Sequence, residues 1–97
     1  MAKKPETVFK EKIRPRLEAL GVVYKIQSET IRGIPDFLIC INGHFVALEL
    51  KKDMATPPDK LQMYNLAKIE KNGGKAYLVY PENWDRVYNT LLTLAQG

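Results

Sequence analysis

A mixed α/β domain, ordered αβββαβα, is the fold class this sequence predicts. Three observations lead there: an amphipathic helical stretch at the start, an Asn-Gly turn between two apolar runs, and a helix–strand–helix succession after them. The first helix is expected from about Pro5 to Leu20, with Pro5 near its start and Gly21 just past its end. Phe9, Ile13, Leu17 and Leu20 recur at helical spacing and form its buried stripe. Pro15 is discordant, because an interior proline typically costs about 3 kcal/mol, but it falls on the face opposite the stripe.

Val22 to Gln27 has strand composition, and Ser28 to Gly33 reads as a polar loop. Asp36 to Ile41, then Asn42-Gly43, then His44 to Leu50 is a hairpin signature, since Asn-Gly favours the two-residue type I′ turn. Both strands are apolar on both faces, which predicts a sheet centre covered by helices. Cys40, the only cysteine, is expected as a small core residue. A polar loop follows Lys51, then a helix over Lys60–Asn72 stopped by Gly73-Gly74. Asp59-Lys60-Leu61-Gln62 fits a capping box, with Thr56 before Pro57 as the rival start. Lys75 to Tyr80 is the last strand. Asn83 is placed to cap a final helix whose Trp84, Val87, Tyr88, Leu91 and Ala95 share one face.

The chain has 97 residues, one domain's worth, and carries a formal charge of +4. That excess suits a polyanion without proving one. A domain this small has little core, so a partner subunit would help it. No apolar run approaches the roughly 20 residues of a membrane span, and the charged N-terminal residues do not read as a signal peptide. A cytoplasmic protein is therefore expected, in a bacterial or phage-infected cell, with no membrane partner.

The hairpin register locates the chemistry. With Ile41 opposite His44, each outward step preserves the pairing, and Asp36 arrives opposite Glu49 in a non-hydrogen-bonded pair, Cα atoms roughly 4.5 Å apart. Lys51 projects from the same face as Glu49. Two opposed carboxylates repel unless a cation lies between them, and Mg²⁺ accepts a few carboxylates plus waters. The plainer alternative is a rim ion pair between Lys51 and a carboxylate. Glu6 falls within the apolar stripe of the first helix, whereas Glu11 lies opposite. Either Glu6 points at the sheet for a reason, or it only complements the helix dipole.

Gly33-Ile34-Pro35-Asp36, then Glu49-Leu50-Lys51, then Gln62 on the following helix, with a glutamate on the first helix, resembles the virus-type replication-repair nuclease (VRR-NUC) domain. That family belongs to the PD-(D/E)XK superfamily, which also holds small Holliday-junction resolvases. The resemblance runs from Glu6 to about Tyr80. It implies a restriction-endonuclease-like αβββαβ core over residues 1–97, a mixed central sheet flanked by helices, with one further C-terminal helix. It also implies that Asp36, Glu49 and the Leu50 backbone carbonyl hold Mg²⁺ or Mn²⁺, with Glu6 supporting the metal through water. Lys51 would be the catalytic lysine and Gln62 would lie near the metal and the scissile phosphate, although Gln62 also serves as half of the capping box. The loop Lys52-Asp53-Met54-Ala55 departs from the glycine-containing loop expected in the family.

Lys25, Ser28, Arg32, Lys52, Lys60 and Lys68 are the candidate DNA-backbone contacts. His44 reads as a turn residue. The expected activity is a metal-dependent endodeoxyribonuclease for branched DNA, four-way junctions above all, working as a homodimer in DNA repair or a phage context. A flap or duplex nuclease, and a DNA-binding module without catalysis, are the alternatives. The dimer is expected through the last helix, which carries more apolar side chains than one face requires.

Overall fold

A computed structural model describes residues 2–97. Seven elements follow the expected order: α1 (Pro5–Glu18), β1 (Val22–Lys25), β2 (Phe37–Ile41), β3 (His44–Leu50), α2 (Lys60–Lys71), β4 (Lys75–Val79) and α3 (Trp84–Gln96). They form one four-stranded sheet in the order β1-β2-β3-β4. The first three strands are antiparallel, and β4 joins β3 in parallel after the α2 crossover, so the sheet is mixed. This is an α/β fold of the restriction-endonuclease-like kind.

Each element begins and ends for a local reason. α1 has proline at its first position and runs through Pro15, which faces solvent as its place on the wheel requires. It stops at Glu18, and Leu20 and Gly21 turn their N–H groups back to the Leu17 carbonyl. Asn42 (φ 49°) and Gly43 (φ 82°) both occupy the left-handed region, as a type I′ turn demands. α2 starts at the capping box rather than at Thr56: Asp59 Oδ1 accepts from Gln62 N at 2.8 Å, and Asp59 N donates to Gln62 Oε1 at 3.1 Å.

Asn83 does not cap α3 with its side chain. Its amide closes the preceding turn instead, accepting from Tyr80 N at 2.7 Å and donating to the Leu78 carbonyl at 3.0 Å. The loop after β3 is fastened without glycine. Thr56 Oγ1 donates to Asp53 Oδ1 at 3.0 Å, and Met54 N donates to Glu82 Oε2 at 3.2 Å.

The core lies on one face of the sheet. Phe9, Ile13 and Leu17 of α1 and Trp84, Val87 and Leu91 of α3 close over Phe37, Ile39, Ile41, Val46, Leu48, Leu50 and Val79. α2 takes the other face and buries Leu66. It lies over β3 and β4, so Val46 through Leu50 are buried on both faces while the outer face of β1 and β2 stays largely open. Cys40 is therefore exposed, not in the core, because no helix reaches its side of β2. The apolar surplus expected on α3 is also absorbed. Trp84 packs edge-on against Phe9 at 6.5 Å and tilted against Tyr88 at 5.5 Å, and the Arg16 guanidinium sits 4.0 Å from the Tyr88 ring centre.

Candidate active site at the sheet end

At the end of the sheet remote from the hairpin turn, β2 begins and β3 finishes. The observed pairing of Phe37 with Leu48 puts Asp36 and Glu49 next in line, as the register predicted. Asp36 is held from several sides. Its backbone carbonyl accepts from Ile26 N at 2.9 Å, and its Oδ2 accepts from Leu50 N at 2.7 Å. Its Oδ1 lies 2.7 Å from Lys10 Nζ. Pro35, buried just before it, fixes the entry of the chain into β2.

Glu49 is the buried charged residue of the sheet, 3% exposed. Gln62 Nε2 donates to its Oε2 at 3.1 Å, and Lys51 Nζ stands 4.0 Å from the same oxygen. Burial pushes the Glu49 carboxyl up to about 8. The charge of Asp36 and a hydrogen bond with it act in the same direction, while Lys51 and Lys10 oppose them and lose. A buried carboxyl beside a second carboxylate gains when a cation arrives to pair with both.

Gln62 makes two contacts at once. Its Oε1 completes the capping box while its Nε2 reaches Glu49. The loop before β2 sets its position. Gly33 (φ 74°) packs so closely that an added Cβ would stand 2.8 Å from the Leu61 carbonyl carbon, and Asn65 Nδ2 donates to the Arg32 carbonyl at 2.9 Å.

Glu6 faces this end of the sheet but joins Asp36 only through Lys10, whose Nζ is 3.4 Å from Glu6 Oε1. Lys10 escaped the sequence reading. The signal was present, for Lys10 follows Glu6 by one helical turn and so shares its face. Burial works to lower the Lys10 pKa, but the hydrogen bond and charge of Asp36, then those of Glu6, outweigh it, and the net shift is upward.

Among the candidate backbone contacts, Lys25 lines a shallow recess with Thr7, Lys10, Arg14 and Phe37 beside Asp36. Ser28 is engaged in its own turn, accepting from Ile31 N at 2.9 Å. Arg32, Lys52 and Lys60 are exposed on or beside the loops that flank the site. Lys68 is not brought to the cluster. It lines a groove of about 600 Å³ with His44, Phe45 and Ile69 at the hairpin-turn end. That groove is larger than the recess at the carboxylates, but volume is a poor guide to a site that meets a polymer on an open surface.

Among the described residues, no three His, Cys, Asp or Glu side chains gather as a metal cluster. The donor set is smaller: two carboxylates with the Leu50 backbone between them and Lys51. Hard oxygen donors in that number fit Mg²⁺ or Mn²⁺, which keep several waters.

No family model and no curated protein matches the sequence. A solved structure described as a VRR_NUC domain is similar over 97% of each chain, with 27% identity and a TM-score of 0.74. This chain folds as a VRR-NUC domain. The likeness supports a nuclease domain in general. Within the VRR-NUC fold, Asp36, Glu49, Lys51 and Gln62 occupy the sheet end and the start of α2, where, among the described residues, the buried carboxylate lies.

Proposed function

We propose that this VRR-NUC domain is a metal-dependent endodeoxyribonuclease, selective for branched DNA and working as a homodimer. The observation that carries the catalytic part is the opposition of Asp36 and Glu49, with Lys51 and Gln62 converging on Glu49. A purely structural sheet end gains nothing from burying a carboxyl against another one.

In this reading Asp36, Glu49 and the Leu50 carbonyl hold Mg²⁺ or Mn²⁺. The ion, when bound, supplies Lewis acidity toward water and phosphate. The chain's own residues orient the rest. Gln62 fixes the Glu49 carboxylate, and the Lys51 ammonium stands beside the same carboxylate. There it orients the attacking water and offsets charge on the phosphate as the P–O bond breaks. Lys25, Arg32, Lys52 and Lys60 then grip the flanking backbone as phosphate contacts, which position DNA without reading sequence.

The homodimer draws support from a surface other than the one the sequence suggested. Val22, Tyr24 and Phe45 are 53%, 66% and 52% exposed. The strand pairings set them on one sheet face with Leu38 and Cys40, and this face continues into the groove beside Lys68. A contiguous apolar surface of that kind marks an interface. A two-fold dimer would present two sites to the near two-fold symmetry of a four-way junction.

The test is cleavage of a junction, a flap and a linear duplex with Mg²⁺, with Mn²⁺ and with chelator, Glu49→Gln serving as control. Junction cleavage that needs metal and Glu49 is the expected result. A monomer that cuts linear duplex as fast as a junction overturns the substrate and dimer parts, and cleavage by Glu49→Gln overturns the site.

A further inference from the structure

Both oxygens of Asp36 are already engaged by the protein. Oδ2 accepts from the Leu50 amide at 2.7 Å, and Oδ1 meets Lys10 Nζ at 2.7 Å. The Leu50 amide belongs to a strand buried on both faces and cannot withdraw without breaking the sheet. Lys10 can, since its ammonium rides on a flexible four-carbon stem. The contact is also unlike the helix-surface pairs of the same chain. The Lys10 and Asp36 side chains are 22% and 18% exposed, against 60% and 55% for Lys3 and Glu11.

We propose that Lys10 is a positioning residue, a tethered cation that occupies Asp36 until a divalent ion takes its place and that then turns to a DNA phosphate. The inference rests on the reading of Asp36 and Glu49 as the metal site. A divalent ion on the same carboxylate repels the ammonium at close range, so metal binding and the Lys10–Asp36 contact compete. Glu6, one turn earlier on α1, holds the ammonium at 3.4 Å and keeps it at the site's edge after release. The neighbouring recess carries Lys25 and Arg14 against the single carboxylate of Glu11, which leaves its lining net basic. A phosphate entering there gives the freed ammonium a new partner, and metal and DNA thereby favour each other's binding.

Mn²⁺ titrated by calorimetry into the metal-free protein, without DNA, tests this. Lys10→Met is expected to bind Mn²⁺ about five- to tenfold more tightly than the unaltered chain, within the ordinary range of coupling between sites. Lys10→Arg, which keeps the cation, is expected to stay near the unaltered affinity, and Glu49→Gln to lose binding. Repeating the titration with a short phosphorothioate duplex should raise Mn²⁺ affinity in the unaltered chain and do so less in Lys10→Met. Cooperative melting of each variant establishes that it folds. Equal or weaker Mn²⁺ binding by folded Lys10→Met, while Glu49→Gln abolishes binding, overturns the role of Lys10 and leaves the metal site standing. Absence of Mn²⁺ binding in the unaltered chain removes the metal site and this inference with it.

Discussion

Glu49 sits where burial, a second carboxylate and two lysines compete, and the balance leaves its carboxyl at about 8. The unfolded chain holds that proton only below about 4.5. Between those values the folded state binds more protons than the unfolded one, so the Glu49 contribution to stability falls as pH rises. Metal-free protein should therefore melt at progressively lower temperature from pH 5 to about pH 8 on account of this residue, and the trend should level off above that. Glu49→Gln should flatten that dependence and raise the melting temperature at pH 8 by about 4–8 °C, the shift that roughly 1 kcal/mol produces in a domain of this size. A melting profile unchanged by the substitution would mean that Glu49 is not under strain. Lys51 makes a different prediction, since its proposed work is done in the transition state. Lys51→Ala should lose about 10²–10³ in kcat, with DNA affinity little altered. A loss of affinity proportional to the loss of turnover would make Lys51 a backbone contact only.

Elements deliver these side chains to one point, and the least obvious contribution is the loop between β1 and β2. Its Gly33 lies in the left-handed region and touches the backbone of α2 at Leu61 and Gln62. Gly33→Ala meets two penalties: about 1–2 kcal/mol for a side chain in that conformation, and a clash that pushes the start of α2 outward. Gln62 would move with the helix. The expected result is a lower denaturant midpoint together with a fall in turnover larger than the stability loss explains. Wild-type turnover in Gly33→Ala would show that the loop does not position Gln62. The capping box bears on the same point, because Asp59 ties the first turn of α2 while Gln62 reaches the sheet.

Over the whole molecule, the core occupies one face of the sheet and the second face is only half covered. A small chain with an open apolar sheet face has reason to associate. Phe45→Glu is expected to give a monomer in sedimentation where the unaltered chain gives a dimer, and to reduce junction cleavage while sparing the carboxylate site. Cys40 reports on the same face without mutation, since it is exposed in the single chain. Its alkylation should slow as protein concentration rises through the dimer range. Alkylation independent of concentration would send the search for an interface elsewhere.

Much of this was fixed by local chemistry, which a sequence displays. Asn42-Gly43 determines the turn, the turn determines the register, and the register determines that Asp36 faces Glu49. Asp59 and Gln62 likewise determine where α2 begins. Coverage of the sheet is decided by tertiary packing alone, because α2 is too narrow for four strands and lies over β3 and β4. That choice exposes Cys40, which apolar neighbours in sequence had suggested was buried. It also shifts the expected interface from α3, whose aromatic residues are spent on Phe9 and Arg16, to the outer face of β1 and β2. Lys10 belongs to the same class. The sequence puts it one turn from Glu6, but only the docking of α1 against the sheet end brings its ammonium to Asp36, since ion pairs depend on distance through space.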